Sequence, residues 1–162
     1  MLVSLLKLPV LIAAIGAFVI GGVFYGFSTF IMQALARVPV PEGIRAMQAI
    51  NVTVMTPLFL GVFTGTTLLL IVLGIVAGVN FGQPGAIYVV AGAALYVLGC
   101  FAVTMALNVP LNNAIAAADP ASAEGAAIWA RYLCDWVFWN HVRTAASLAG
   151  AVVLVLGWSQ SR

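Results

Sequence analysis

The sequence predicts an all-α integral membrane protein: a four-helix bundle in one domain, residues 1–162, with a short interfacial helical segment after the first crossing. Two observations carry this. Charged residues make up 6% of the chain and hydrophobic residues 64%, against ~25% charged in a soluble domain, and the mean hydropathy is +1.18. The charges are also segregated, with none in 8–36, 46–118 or 144–161. One crossing takes ~20 apolar residues for ~30 Å of hydrocarbon, so the middle run holds two crossings and a turn, and the total is four.

The first helix is expected over 9–35. Pro9 suits a first turn, where its missing N–H is not needed, and Gly22 and Gly26, four apart on one face, would let a neighbouring backbone come close. The opening MLVSLLKLPVLIAAIG, with Lys7 as a positive start, has the outline of a secretory leader. No small-residue cleavage pattern closes it, however, and it is read as part of the helix. Pro39 and Pro41 in ARVPVPEG (36–43) stop that helix. Over 41–55, Ile44, Met47, Gln48 and Asn51 fall at helical spacing, as in a lead-in lying near the interface. Pro57 opens the second crossing, 57–79, and NFGQPG (80–85) is a turn by composition. The third crossing spans 85–113, with Pro110 placed to kink or end it. DPAS (119–122) is a capping sequence for the last helix, 123–158.

The last helix cannot cross on its uncharged part alone, because Thr144–Trp158 is too short. Its crossing therefore starts near Trp136, and about 23 residues at ~1.5 Å each cover ~33 Å. That puts Asn140, His141 and Arg143 inside the bilayer edge, with Arg143 ~8 Å deep if Trp158 marks the far interface. Polar groups at that depth are costly and by default mark function. Four crossings bring 36–45 and 114–131 to one end. Ser28, Gln33, Arg45, Gln48, Asn51, Asn108, Asn112, Asn140, His141 and Arg143 then share one half of the bundle. Arg37, Arg45 and Arg131 on that side outnumber Lys7 and Arg162 on the other, which makes the loops cytoplasmic in a bacterial-type inner membrane.

Counting about 100° per residue from Arg131, Tyr132, Trp136, Asn140, Arg143 and Ser147 fall within about 100–180°, one aromatic and polar stripe with Trp139 at its edge. His141, at about 280°, faces elsewhere, near Cys134. Arg143 is expected to point into the bundle, toward Asn140 and the Asn108/Asn112 face. Each residue also has a plain structural reading. Trp129, Trp136 and Trp139 would make an interfacial belt with Tyr132, and Arg143 would snorkel. Asn108 and Asn112 would join helices, Arg131 and Asp135 would pair on the surface, and His141 would be a hydrogen-bonded structural residue. Cys100 and Cys134 read as buried small hydrophobes rather than a disulfide. A net charge of +2 spread over so few charges points to no nucleic-acid partner. A catalytic zinc needs about three protein ligands; His141 with Glu42 or Asp135 is an incomplete set, which leaves a metal held through His141 as the weaker alternative to no metal.

NVPLNN (108–113), Trp129, WNHVRTAASLAG (139–150) and IRAMQAIN (44–51) together resemble the anthrone oxygenase family, a group of small four-helix membrane proteins. The resemblance covers most of the chain and implies oxidation of a polyphenolic anthrone to an anthraquinone with O₂. With no flavin, haem or metal signature, no cofactor is expected, and the ionised substrate must itself reduce O₂. On that reading His141 is the base, since its ordinary pKa suits the task, and Asn140 and Arg143 are catalytic donors. Asn108 and Asn112 assist them, Trp136 and Trp139 stack on a planar ring system, and Arg45 and Asn51 complete the substrate-binding set. The pocket is expected between the first, third and fourth crossings, opening to the leaflet on the loop side. The expected partners are the bilayer and a hydrophobic aromatic small molecule, with a homo-oligomer left open. The alternatives are a non-catalytic binder or carrier of a quinone-like molecule and a structural subunit of a membrane complex.

Overall fold

The computed structural model describes residues 6–160; Met1–Leu5 of the opening stretch and Arg162, counted above for orientation, lie outside the described residues. Five helices make up the fold, with no strand among the described residues: α1 (Lys7–Leu35), α2 (Val40–Thr53), α3 (Pro57–Val79), α4 (Ala86–Ala117) and α5 (Ala123–Gln160). All but α2 are long and apolar enough to cross a membrane.

The helix ends follow local chemistry. Pro41 and Glu42 occupy the first turn of α2, where a missing N–H and a negative charge are both tolerated. Thr56 caps α3, its Oγ1 accepting from the Phe59 N–H at 3.2 Å, and Pro57 follows at once. Gly85, at φ 86°, turns the chain into α4 in a conformation that only glycine adopts freely. Ser122 caps α5 by accepting from the Gly125 N–H at 2.9 Å. α4 does not stop at Pro110 or at 113 but continues to Ala117. The turn before the proline, Thr104–Asn108, is a π turn. Its wider loop contains Ala106, the residue whose carbonyl the ring of Pro110 would otherwise crowd.

The crossings form a ring: α1 packs on α5, α5 on α4, α4 on α3 and α3 on α1. Away from the α2 end the ring is held by small residues. A Cβ on Gly92 would lie 2.7 Å from Leu154 Cγ and 3.0 Å from the Gly150 carbonyl oxygen, and one on Gly150 would lie 3.1 Å from the Gly92 oxygen. Two backbones therefore touch, the contact by which membrane helices associate where lipid and protein are equally apolar. The expected close approach at Gly22 and Gly26 does not occur: Gly22 faces open space, and Gly26 meets only side chains of its own helix. The tight glycines of α1 are Gly16, against Thr66, and Gly21, against Leu148, because they share the face of the buried Ala13, Ala17 and Phe24.

At the other end α2 lies against the ends of α4 and α5. Gln48 holds it there, its Nε2 donating to the carbonyls of Ile115 (2.9 Å) and Ala118 (3.0 Å). Beneath it Ile44, Met47 and Ile115 pack with Trp129, Tyr132 and Trp136 in a second core.

Replacing Gly150 with alanine tests the close approach. A methyl group pressed on a backbone carbonyl cannot rotate away, and overpacking of this kind costs about 1–3 kcal/mol. Gly150→Ala is expected to unfold at a lower temperature in detergent, whereas Gly61→Ala, which faces open space, should match the parent.

Candidate functional site

The stripe on α5 is the buried face of the helix. Tyr132, Trp136, Asn140, Arg143 and Ser147 are all buried, and Arg143 is only 4% exposed. Trp129, Tyr132 and Trp136 form one continuous stack, with centroids 5.8 and 5.3 Å apart and interplanar angles of 12° and 17°. This rules out the interfacial-belt reading for these three rings, because all three are inside the bundle. A π turn at Tyr132–Trp136 lies within the stack.

Arg143 does not snorkel. Its guanidinium carbon sits 3.9 Å from the centroid of Phe24 and 4.7 Å from that of Trp136. Its Nε donates to Asn140 Oδ1 at 2.8 Å. Asn140 is fully used: its Nδ2 donates to the Phe24 carbonyl (2.8 Å) and to Ser28 Oγ (2.7 Å), which ties α5 to α1. No carboxylate neutralises Arg143 among the described residues; their one ion pair, Arg131 with Asp135 at 3.0 Å, is on the surface. Two desolvated ring faces at about 2 kcal/mol each are of the same order as the ~2.5–3.5 kcal/mol cost of an arginine deep in a membrane helix. The charge is thus tolerated without being neutralised.

Arg143 opens onto a cavity of ≈ 420 Å³, within the ~300–1,000 Å³ range of small-molecule pockets. The walls come from all five helices rather than from the three crossings expected: α2 supplies Met47, Ile50 and Asn51, the link after it Val54 and Met55, and α3 Phe59, Leu60, Phe63 and Thr64. One wall is aromatic. Phe63 packs with Phe24 (6.4 Å), Phe59 (6.0 Å) and Phe101 (5.4 Å). Toward α2, Asn112 Oδ1 accepts from Tyr132 O–H (2.8 Å) and Trp136 Nε1–H (2.7 Å). The cavity meets the bundle surface beside the exposed Met55, Thr64 and Met105.

The structure brings together Arg143, Trp136, Asn112 and Asn51 of the residues named from sequence, with Asn140 holding Arg143 from behind. It does not bring the others. His141 is exposed on the outer face of α5 and does not line the cavity, so the assignment of His141 as base is withdrawn. Its position some 100° beyond Asn140 is the reason. Trp139 turns its ring to Phe138, edge-on at 4.9 Å, instead of to the cavity. Arg45 is exposed, on the opposite side of α2 from the buried Ile44 and Met47. Asn108 is buried and outside the cavity lining; its Nδ2 donates to the Trp136 carbonyl at 3.1 Å, joining α4 to α5, and its Oδ1 has no partner among the described residues. Gln33 is exposed, and Gln48 is used in holding α2. Cys100 is buried, but Cys134 is exposed, contrary to expectation. Among the described residues no three His, Cys, Asp or Glu side chains gather.

The phenylalanine wall was missed in the sequence. The signal was Phe59 and Phe63 four apart on α3, with Phe24 and Phe27 on one face of α1. Only the ring order of the helices turns these faces inward.

A family model described as anthrone oxygenase matches residues 45–153, two thirds of the chain. No curated protein and no solved structure matches. The geometry separates support from surface. Asn140→Leu removes the acceptor of the Arg143 Nε and should lower stability by about 1–3 kcal/mol for each buried group left unpaired, read as thermal unfolding in detergent. His141→Ala, on the exposed face, should stay within ~0.5 kcal/mol of the parent.

Proposed function

The chain belongs to the anthrone oxygenase family, and from that membership and its cavity we propose a membrane-embedded, cofactor-independent oxygenase that oxidises a planar phenolic, anthrone-like substrate with O₂. The observation that carries this reading is the uncompensated guanidinium of Arg143 in an aromatic-walled cavity inside the bundle. The proposed reaction needs such a group. An anthrone loses a methylene proton and becomes an enolate. The enolate passes an electron to O₂, and the two radicals join in a carbon–oxygen bond to give a hydroperoxide. The same carbon then loses its second hydrogen as a proton while the O–O bond breaks and hydroxide leaves, giving the quinone carbonyl and water. Negative charge resides on oxygen at each stage, and donors already in place in a dry site stabilise it without reorganising. Arg143 and Asn112 are such donors, and the phenylalanines exclude water and accept a flat ring system.

One observation favours the second reading, a non-catalytic binder or carrier of a quinone-like molecule: among the described residues no His, Asp, Glu or Cys lines the cavity, and a carrier needs no proton acceptor. A purely structural subunit is the weaker reading, because packing alone does not call for a cavity beside a buried guanidinium that lacks a counterion among the described residues. By the same proposal the end carrying Arg37, Arg45 and Arg131 faces the cytoplasm of a bacterial-type inner membrane. Alkaline phosphatase should then be active when fused to the C-terminus and inactive when inserted at 118–121; the reverse pattern overturns the orientation.

Purified protein is expected to speed O₂ uptake by emodin anthrone in chelator-treated buffer and to yield emodin. Arg143→Lys keeps the charge but loses the planar fork; it should insert and fold while kcat/KM falls by about tenfold or more. Ligand recovered unchanged after aerobic incubation supports the carrier instead. Activity lost on chelation and restored by a single metal overturns the cofactor-free mechanism.

A further inference from the structure

The two strongest hydrogen-bonding groups on the cavity left without a protein partner among the described residues, on Arg143 and Asn112, are both donors. Asn112 is decisive, because chemistry fixes the orientation of its amide. The indole Nε1 of Trp136 can only donate, so the atom it meets at 2.7 Å is the amide oxygen, and the Tyr132 hydroxyl donates to the same oxygen. The free end of Asn112 is therefore its Nδ2, with two N–H groups. Asn51 also lines the cavity, with its Nδ2 enclosed by protein atoms rather than open to it. The Nε of Arg143 is bound to Asn140, while its two terminal nitrogens have no protein acceptor among the described residues. The lining threonines spend their hydroxyl hydrogens on their own helices, Thr104 on the Cys100 carbonyl and Thr64 on that of Leu60. What remains on them is weak acceptor capacity, with no basicity to take a proton.

We propose that the cavity binds its ligand as an already ionised phenolate or enolate, one oxygen on Arg143 and another on the Asn112 amide, with no cavity side chain accepting the ligand's proton. The inference deepens the proposed function and rests on its assignment of the cavity as the ligand site. Trp136 sets the spacing: it carries Arg143 on its ring face and gives its Nε1–H to Asn112, so guanidinium and amide are separated by one indole. A planar ligand of two or three fused rings with oxygens on separate rings meets both. Its negative charge is the counterion that Arg143 lacks. The titratable groups facing Arg143 are Cys100 from α4 and Tyr132 from α5, both ordinarily protonated at neutral pH; the lining residues of α1, α2 and α3 include no titratable side chain. His141 is exposed on the outer face, and the Asp135 carboxylate is held by Arg131 on the surface. The proton is therefore left with water at the membrane interface before the ligand seats.

The test is anaerobic binding to the full chain in nanodiscs, with empty nanodiscs as blank and two probes: emodin, whose phenolate absorbs at longer wavelength than its phenol, and fully O-methylated emodin, which cannot ionise. Bound emodin is expected to show the phenolate spectrum at pH values where free emodin is neutral. Its apparent pKa should fall by at least about one unit, a tenfold preference for the anion, and the ether should bind at least about tenfold more weakly. Asn112→Asp keeps the two accepted hydrogen bonds through one oxygen and replaces the donor with a negative charge. It should weaken phenolate binding by about tenfold or more, and by a larger factor than it weakens the ether, which carries no charge to be repelled. Emodin bound as the neutral phenol, or ether binding equal to emodin, overturns the proposal. Both results come from the unaltered chain, so a variant that fails to fold does not blunt the test. Phenolate binding without turnover of emodin anthrone would sink the oxygenase reading alone, whereas turnover with neutral binding would sink this proposal alone.

Discussion

The structure turns on one positive charge that no negative charge among the described residues answers. Arg143 is 4% exposed and lies between two aromatic faces. Each neighbour is in turn fixed by another element. Asn140 binds the Nε and grips the Phe24 carbonyl and Ser28 of α1. Trp136 is stacked on Tyr132 and hydrogen-bonded to Asn112 of α4. An arginine that merely anchored the helix would reach for water, and helical side chains lean toward the N-terminus, here the nearer interface. Arg143 leans that way but stops inside, against Trp136, because the stack above it is closed.

The bundle divides its labour along its length. Away from α2, Gly92 and Gly150 let α4 and α5 touch, and this contact fixes the axes of the helices. Near α2, phenylalanine and methionine replace glycine and alanine, and the same axes leave room between α3 and α5, which sit across the ring from one another. Four π turns fall in this open half: Phe27–Ile31, Val97–Ala102, Thr104–Asn108 and Tyr132–Trp136. Each contributes to the lining, through Phe27, Phe101, Thr104 with Met105, and Trp136. A π turn swells a helix by an extra residue and occurs most at functional sites; here it re-aims side chains at the cavity without ending the helix.

The span matched by the family, 45–153, holds Arg143, Asn140, Asn112, Trp136 and most of the walls from α2 to α5. Phe24 and Ser28 precede it. The surroundings of Arg143 are therefore completed from outside the matched residues, by a helix whose inward face is mostly alanine and glycine until Phe24.

The sequence by itself determined the class, the four crossings and the buried stripe of α5, because hydrophobic run length and a 100° helical step are local properties. It put Arg143 and Asn140 on that stripe and His141 off it. It could not say that α2 and α3 wall the cavity, that Asn108 serves packing while Asn112, one turn on, serves the cavity, or that Trp139 turns away while Trp136 turns in. Those outcomes depend on the order of helices around the ring and on π turns that shift the helical register, and neither is written in the spacing of residues along one helix. Only the tertiary structure decided them, since a face becomes an inside only when a second helix covers it.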